Sequence, residues 1–418
     1  MMKLKLLALT AASAFALTAS IAPAGAQSGE PIKIGFGMAL TGPLAGFGKQ
    51  ALLGMKIWEE ETNAKGGLVG RPVKLIYYDD QSTPSTVPGI YTKLLDVDKV
   101  DLILSGYATN MVAPAIPVAI QKKKTLISLF ALDANQEFNY PKYFSVLPSG
   151  PTPKQSFSDG FFQIAAAQNP KPVTLALAAE DAEFSRNACE GARENAKKYN
   201  MKIVYDKTYP PNTTDYTPIV RALQAANADS VIVCSYPLSS VGIVLSMNEL
   251  NYKPKMCCAG MVGLQGIAIK TRLGPKLNGI INYETWVPSE KMMKPAEEFF
   301  KKYQERAVFE GADPLGYYLG GWGYAYISVL GQAVAGAKSI KDDDVAAYLR
   351  KNEFKTIMGN WSYGPKGEWT KAGMLQVQYH DIKEGAGLET WRGMSYQTVL
   401  TPAEQKTGEV IYPYEKAK

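Results

Sequence analysis

Histidine is almost absent from this chain of 418 residues. The single histidine, His380, ends an alternating run, Gln376-Val377-Gln378-Tyr379-His380, which is typical of a strand surface. A Ser–His–Asp or Cys–His catalytic arrangement would therefore have to use His380 as its base, and a strand surface is a poor position for that role. The chain also lacks an H-E-x-x-H segment, a cysteine–histidine zinc spacing, a P-loop and a G-x-G-x-x-G fingerprint. These absences argue against an enzyme, and we expect no metal and no cofactor.

Cysteine is scarce too, with four residues in the whole chain. Cys234 lies in an apolar, strand-like run and Cys189 in a helix-like segment, which favours buried free thiols. A bond between the neighbours Cys257 and Cys258 would strain the peptide between them. We therefore do not expect that bond.

Neither strong charge nor a long apolar run marks the body of the chain. Charged residues make up 20% and hydrophobic residues 46%, an ordinary globular balance. The net charge is +6 and falls to about +4 without Lys3 and Lys5, so we predict no nucleic-acid partner. After residue 26 no apolar run reaches the ~20 residues that span a membrane.

The first 26 residues follow a different pattern. A short basic start carrying Lys3 and Lys5 precedes an apolar stretch at 6–22, and Ala24-Gly25-Ala26 follows. This order predicts a secretory signal peptide over residues 1–26, cleaved after Ala26. An uncleaved anchor is the alternative, although about 17 apolar residues are marginal for a span. Because the first cysteine is Cys189, no lipid-acceptor cysteine follows the signal, and we expect an exported protein that is not a lipoprotein.

The rest of the chain alternates apolar runs with amphipathic segments. Strands are predicted at 32–40, 73–78, 101–104 and 125–130, and after a proline cluster at 173–179, 202–209 and 230–235, with helix-length stretches between them. This alternation predicts α/β architecture with parallel sheets in two similar lobes. The last third predicts helices at 292–308, 314–337 and 342–350 and short strands at 360–363, 375–380 and 389–392. Residues 401–418 read as a loose polar tail.

Two segments near the start are distinctive. Residues 40–48 read Leu-Thr-Gly-Pro-Leu-Ala-Gly-Phe-Gly, and residues 62–71 read Thr-Asn-Ala-Lys-Gly-Gly-Leu-Val-Gly-Arg, before a strand ending Tyr78-Asp79-Asp80. They resemble the periplasmic substrate-binding proteins of ABC transporters, branched-chain amino acid (leucine/isoleucine/valine-binding) family. Asp313-Pro314 with Tyr317 and Tyr324 also looks like the family.

The resemblance implies a type I periplasmic-binding fold, in which two Rossmann-like lobes joined by three crossovers close on a ligand. Lobe 1 would comprise 31–147 and 288–356, and lobe 2 would comprise 148–287 and 357–400, with the tail at 401–418. The crossovers would fall near 145–148, 284–288 and 355–360. Ligands of open α/β sheets bind beyond the carboxyl ends of the strands, which agrees with a cleft site.

The resemblance also implies pocket residues. The aromatic after the Thr-Gly-Pro turn is Phe47. The turn after the third strand, which in the family bonds the ligand carboxylate, supplies Tyr107, Thr109 and Asn110; Thr109 as a plain N-cap is the alternative. The turn after the fourth strand supplies Phe130 and Ala131. The second lobe supplies Phe184, Tyr236 and Trp286.

The acidic residue that pairs with the ligand ammonium in the family corresponds here to Met261. An ammonium buried without a carboxylate partner costs several kcal/mol, so a standard α-amino acid is disfavoured unless Glu284 or Asp181 restores the site. The aromatic residues instead suit a ring or acyl chain, and we predict a small carboxylate, in particular an aromatic acid. Ordinary core packing remains the alternative for each aromatic.

Four functions remain open from the sequence. The first is a periplasmic, monomeric binding protein that delivers a small organic acid to the permease and ATPase subunits of an ABC importer. The second is the same fold binding a branched-chain or related amino acid. The third is a sensor that presents its ligand to a receptor, and the fourth is an exported enzyme, which the missing motifs disfavour.

Overall fold

The computed structural model describes residues 29–417, and within that range the chain folds into two α/β lobes, each built around its own sheet. The predicted signal peptide and its cleavage after Ala26 lie outside the described residues. None of the helices between residues 29 and 417 has both the length and the apolar character needed to cross a membrane.

Lobe 1 is centred on a parallel sheet with the strand order β2-β1-β3-β4-β5. Its strands are β1 (Ile32–Met38), β2 (Val73–Asp79), β3 (Leu102–Tyr107), β4 (Leu126–Leu129) and β5 (Tyr143–Ser145). Its helices are α1 (Ala45–Ala64), α2 (Val87–Asp96), α3 (Thr109–Val112) and α4 (Ile116–Gln121). Every residue of β3 and β4 is buried, as expected for strands covered on both faces.

Lobe 2 is centred on a sheet with the order β14-β13-β10-β9-β8-β6-β7, which is parallel except at β13 and β14. Its strands are β6 (Thr174–Glu180), β7 (Lys202–Tyr209), β8 (Ser230–Ser235), β9 (Met256–Met261), β10 (Ile281–Glu284), β13 (Leu375–Tyr379) and β14 (Gln397–Thr401). Its helices are α5 (Pro153–Ala166), α6 (Glu183–Lys198), α7 (Thr217–Ala226), α8 (Pro237–Glu249) and α9 (Ile267–Leu273).

The chain returns to lobe 1 after β10. There it forms α10 (Glu290–Met293), α11 (Glu297–Ala307), α12 (Gly320–Ala337), α13 (Asp342–Lys351) and a hairpin of β11 (Glu353–Thr356) and β12 (Gly359–Ser362). Helix α12 packs along α1. The predicted helix at 292–308 is divided into α10 and α11, with Pro295 between them, because proline cannot continue a helix interior.

The third crossing between the lobes lies later than expected. Residues 353–362 form the β11–β12 hairpin, which stays with lobe 1 through ring contacts of Tyr363 with Phe144 and Phe354. The chain therefore crosses at about 363–374, beside the first crossing, where Gly373 N donates to Pro148 O. The chain re-enters lobe 2 at β13, whereas the expected boundary was residue 357.

Two further differences concern the C-terminal part. Residues 389–392, predicted as a strand, belong to a 3₁₀ helix (Leu388–Arg392), and the strand that extends the sheet is β14. The tail is not loose: Tyr414 is buried, its N–H donates to Lys255 O, and Ile411 N donates to Gln378 Oε1. Apolar residues spaced among the polar ones fix the tail on lobe 2.

The cysteines divide into two pairs. Cys189 and Cys234 are buried free thiols, as expected from the sequence. Cys257 and Cys258 are joined by a disulfide within β9, contrary to expectation.

Candidate functional site

A small cavity lies between the two lobes, at the carboxyl ends of β3, β4, β9 and β10. In this arrangement of the lobes it leaves only about 20 Å³ free for a water-sized molecule, far below the ~300–1,000 Å³ of ligand pockets, so the walls nearly meet and a ligand enters only when the lobes move apart. Its lining comprises Tyr107, Ala108, Thr109, Phe130, Leu132, Leu147, Phe157, Phe184, Tyr236, Val262, Tyr283 and Tyr318. Both lobes contribute, which places the cavity at the interlobe cleft.

Seven of the lining residues are aromatic, and no charged side chain lines the cavity within residues 29–417. The rings contact one another across the wall. The Phe157 ring lies 4.6 Å from that of Tyr283 and 5.5 Å from that of Phe184, centroid to centroid. The Phe184 ring in turn lies 5.6 Å from Tyr236. Such a wall is largely apolar and offers no carboxylate to an ammonium group.

Three tyrosine hydroxyls supply the polarity of the cavity. The hydroxyl oxygens of Tyr107 and Tyr318 are 3.0 Å apart, and those of Tyr283 and Tyr318 are 3.4 Å apart. Burial raises the pKa of each of these tyrosines well above its ordinary value. The hydroxyls therefore stay protonated at neutral pH. Their two mutual hydrogen bonds use two of the three O–H groups, which leaves one O–H to donate to a ligand.

The turns that follow β3 and β4 shape the lobe 1 side. Ala108 and Phe130 have positive φ angles of 81° and 55°, a conformation that L side chains rarely adopt. The Thr109 hydroxyl oxygen accepts a hydrogen bond from Leu132 N at 2.9 Å, which ties the two turns together. That bond leaves the Thr109 hydroxyl hydrogen free to donate. Non-glycine residues in strained conformations cluster at functional sites.

Direct hydrogen bonds hold the lobes together around the cavity. Asn110 Oδ1 in lobe 1 accepts from Tyr236 Oη at 3.1 Å and from Phe184 N at 3.3 Å in lobe 2. Asp313 Oδ2 accepts from Ile267 N at 3.0 Å at the start of α9. The structure is therefore a closed form of the two-lobed molecule.

The structure brings five of the ten predicted pocket residues to the cavity lining: Tyr107, Thr109, Phe130, Phe184 and Tyr236. Asn110 lies beside it as an interlobe bridge. Phe47 lies one layer behind, with its ring 5.0 Å from Tyr318. Each of these residues follows or precedes a strand end at the cleft.

The other three predicted residues lie elsewhere. Ala131 lines a different cavity, near 133–136 and 365–368, because Phe130 and Leu132 on either side of it point to the cleft. Met261 is buried, with its backbone N and O both bonded to the Asn282 side chain. Trp286 lines a groove at the hinge and packs on Phe300 and Tyr317.

Neither acid considered as an ammonium partner reaches the cavity. Glu284 is buried and its Oε1 accepts from Lys270 Nζ at 2.7 Å and from Tyr379 Oη at 3.1 Å. Asp181 is exposed and pairs with Arg186 on its own lobe. Val262, one residue beyond Met261, holds the lining position that follows β9, and it is also apolar.

Sequence reasoning missed several lining residues, above all Phe157, Tyr283 and Tyr318. Tyr318 belongs to the glycine- and aromatic-rich run at 316–324, which the sequence displays clearly but which reads as the start of a core helix. His380 lies away from the cleft, with its ring nitrogens near Asp381 Oδ2 and Thr398 Oγ1. Among residues 29–417, no group of three or more His, Cys, Asp or Glu is arranged to hold a metal ion.

Comparison with known proteins agrees with this geometry. The periplasmic binding protein family model matches residues 31–383. Leu/Ile/Val-binding protein homolog 7 of Brucella abortus (strain 2308) is 24% identical over 398 residues, covering 90% of this chain and 94% of that protein.

Two solved structures share the fold. A solute-binding protein of an ABC transporter from R. palustris in complex with benzoate superposes with a TM-score of 0.73 at 14% identity, covering 91% of this chain and 99% of that one. A branched-chain amino acid transporter substrate-binding protein from Streptococcus pneumoniae in complex with isoleucine gives 0.70 at 19%, covering 89% and 100%. The chain therefore belongs to the periplasmic binding protein family and has the type I fold of these solved structures.

Proposed function

We propose that this protein captures a small aromatic carboxylate in the interlobe cavity and delivers it, as an exported monomer, to the permease of an ABC importer. The observation that carries the proposal is the lining itself: seven aromatic rings, three clustered tyrosine hydroxyls and no charged side chain. Aromatic faces of this kind pack on a flat ring once the lobes move apart to admit it, and ring–ring contacts add to the gain from area burial.

A carboxylate buried in this cavity needs donors in place of water. The Tyr107–Tyr318–Tyr283 cluster and the Thr109 hydroxyl supply neutral donors on one side of the cavity. Hydrogen bonds to an ionised acceptor contribute about 1.5–3 kcal/mol each. An anion with an apolar body is therefore accepted at a modest cost of desolvation.

The same lining is less suited to binding an α-amino acid. Its ammonium requires a carboxylate or several acceptors. Glu180, a buried acid of lobe 2, does not line the cavity, and its Oε2 already accepts from Tyr236 N at 2.9 Å. Structures of this fold hold benzoate in one case and isoleucine in another. The fold therefore does not distinguish the two kinds of ligand, and the preference for an aromatic acid rests on the cavity lining.

A binding screen tests the proposal. We expect benzoate and hydroxybenzoates to raise the melting temperature of the purified protein, and leucine, isoleucine and phenylalanine to leave it unchanged. A ligand at 100 times its Kd adds about 2.7 kcal/mol to the free energy of unfolding. Stabilisation by the amino acids without stabilisation by the aromatic acids would reverse the assignment.

A matched pair of variants tests the role of the hydroxyl cluster. Tyr318→Phe removes one hydroxyl and keeps the ring, so we expect the Kd of the bound acid to rise about 10-fold or more. Tyr317→Phe is the control, because the Tyr317 hydroxyl donates outside the cavity, to Arg392 O. Isothermal titration measures both, and equal Kd values for the two variants would contradict the proposed donor role.

A further inference from the structure

Two buried thiols face each other across the helix–sheet interface of lobe 2. Cys189 lies in α6 and Cys234 in β8, and α6 packs directly against β8. Their sulfur atoms are 3.0 Å apart, and both side chains are at most 1% exposed. The separation exceeds the length of a disulfide bond by only about 1 Å.

We propose that Cys189 and Cys234 form a second disulfide in the exported protein, in addition to the Cys257–Cys258 bond. Oxidising compartments outside the cytosol form and preserve such bonds. The pair closes a loop between a helix and a central strand, and a small movement of either side chain brings the sulfurs to bonding distance.

The bond would form by exchange with a low-molecular-weight or protein disulfide. One thiolate attacks the oxidant's disulfide, giving a mixed disulfide and releasing one thiolate leaving group. The second cysteine thiolate attacks the mixed disulfide, the Cys189–Cys234 bond forms, and the second leaving group departs. The two cysteine protons end on the two released thiols, so the oxidant is reduced by two electrons to two thiols.

Burial of the two thiols determines when the bond can form during folding. It raises the pKa of the Cys234 thiol well above its ordinary value, with the neighbouring Cys189 adding to the effect. A buried, protonated thiol reacts slowly, because the thiolate is the nucleophile. Oxidation therefore belongs to the folding chain, before α6 covers β8.

The position of the bond relates it to the cleft. Phe184 lies five residues before Cys189 at the start of α6, and Tyr236 lies two residues after Cys234. Both rings line the cavity, and their centroids are 5.6 Å apart. A covalent link between α6 and β8 fixes the two segments that carry this part of the wall.

The test is a thiol count after refolding. The full chain is reduced, unfolded, refolded with reduced and oxidised glutathione, unfolded again and alkylated, and its peptides are mapped by mass spectrometry. We expect no alkylated cysteine and a peptide cross-linked between Cys189 and Cys234. Quantitative alkylation of both residues, or cross-links from them to Cys257 or Cys258, would overturn the proposal.

Two variants keep the result interpretable. Cys189→Ser should leave one alkylated cysteine, Cys234. The double variant Cys257→Ser/Cys258→Ser should keep the Cys189–Cys234 cross-link, because the two pairs are independent. If the double variant does not fold, the peptide map of the native chain still decides. A second measurement is the melting temperature, which should be higher for the oxidised chain than for Cys189→Ser/Cys234→Ser.

Discussion

At the scale of single residues, the most unusual acid lies at the cleft-side end of β2. Asp80 is 1% exposed; its Oδ1 accepts from Ser82 N at 2.9 Å, and its Oδ2 has no hydrogen-bond partner among the described residues. Burial, together with the adjacent Asp79, raises the pKa of Asp80 to about 6. The charged form is therefore disfavoured in the folded protein.

Asp80→Asn should stabilise the protein at neutral pH. The folded pKa is raised, so ionisation costs stability as pH rises from the unfolded value near 4 through about 6. A shift of this size corresponds to about 3 kcal/mol at pH 7.5 and to under about 1 kcal/mol at pH 4. Urea unfolding at the two pH values measures the difference, and an equal effect at both would contradict this explanation.

Asp79 provides the control for that substitution. It is more exposed, and it accepts from Leu40 N, Gln81 N and the Thr41 hydroxyl. These hydrogen bonds outweigh burial and lower the pKa of Asp79. Asp79→Asn should therefore destabilise the protein at pH 7.5, the opposite direction to Asp80→Asn.

The candidate site was predictable where a pocket residue lies at, or within three residues of, the carboxyl end of a predicted strand. Tyr107, Phe130 and Tyr236 are such residues, and each lines the cavity. Phe157 and Tyr318 were not predictable, because Phe157 reaches the cavity from α5 and Tyr318 from the turn before α12, neither of which directly follows a strand. Met261 illustrates the remaining error: in a strand a one-residue offset turns a side chain to the other face, and Val262 lines the cavity instead.

At the scale of elements, the contact between α1 and α12 depends on glycine. A Cβ atom at Gly323 in α12 would overlap the backbone of Ala51 in α1, and one at Gly54 would overlap the backbone of Gly320. The two helices therefore approach closely enough for backbone-to-backbone contact. This pairing holds the late helices of the chain on lobe 1.

Gly323→Ala should separate the two helices. The backbone of Ala51 cannot move aside as a flexible side chain can, so we expect a loss of about 2–3 kcal/mol of unfolding free energy. Gly46→Ala in α1 is the control, since its added Cβ meets nothing within 4 Å. Urea unfolding measures both, and a Gly323→Ala variant as stable as Gly46→Ala would refute the close-approach explanation.

Buried strands were only partly predictable. The sequence located β3 and β8, which read as apolar runs and are covered on both faces. The predicted strands did not include β9 and β10, although both are fully buried. The strand predicted at 360–363 corresponds to β12, whereas its hairpin partner β11 was not located. A four-residue strand with Phe354 as its one buried residue carries little periodic signal.

At the scale of the whole molecule, the proposed capture of a ligand requires the two lobes to open and close. The described structure is closed, and hydrogen bonds between the lobes exist only in that state. Besides the bonds of Asn110 and Asp313, Asn187 Nδ2 in α6 donates to Leu132 O in lobe 1 at 2.9 Å. A ligand held by both lobes shifts the equilibrium toward closure, and each interlobe bond adds to that shift.

Asn187→Ala should weaken ligand binding without touching the cavity. Asn187 does not line the cavity, so the loss acts only through the closed fraction. One net hydrogen bond contributes about 1 kcal/mol, and we expect the Kd of the tightest-binding acid to rise about 5-fold.

The adjacent Arg186→Ala is the control, because Arg186 pairs with Asp181 on its own lobe. Titration calorimetry gives the Kd values, and small-angle scattering of the unliganded protein should show a larger radius of gyration for Asn187→Ala. If both variants bind alike, the Asn187–Leu132 bond does not govern closure, and the affinity must arise within the cavity alone.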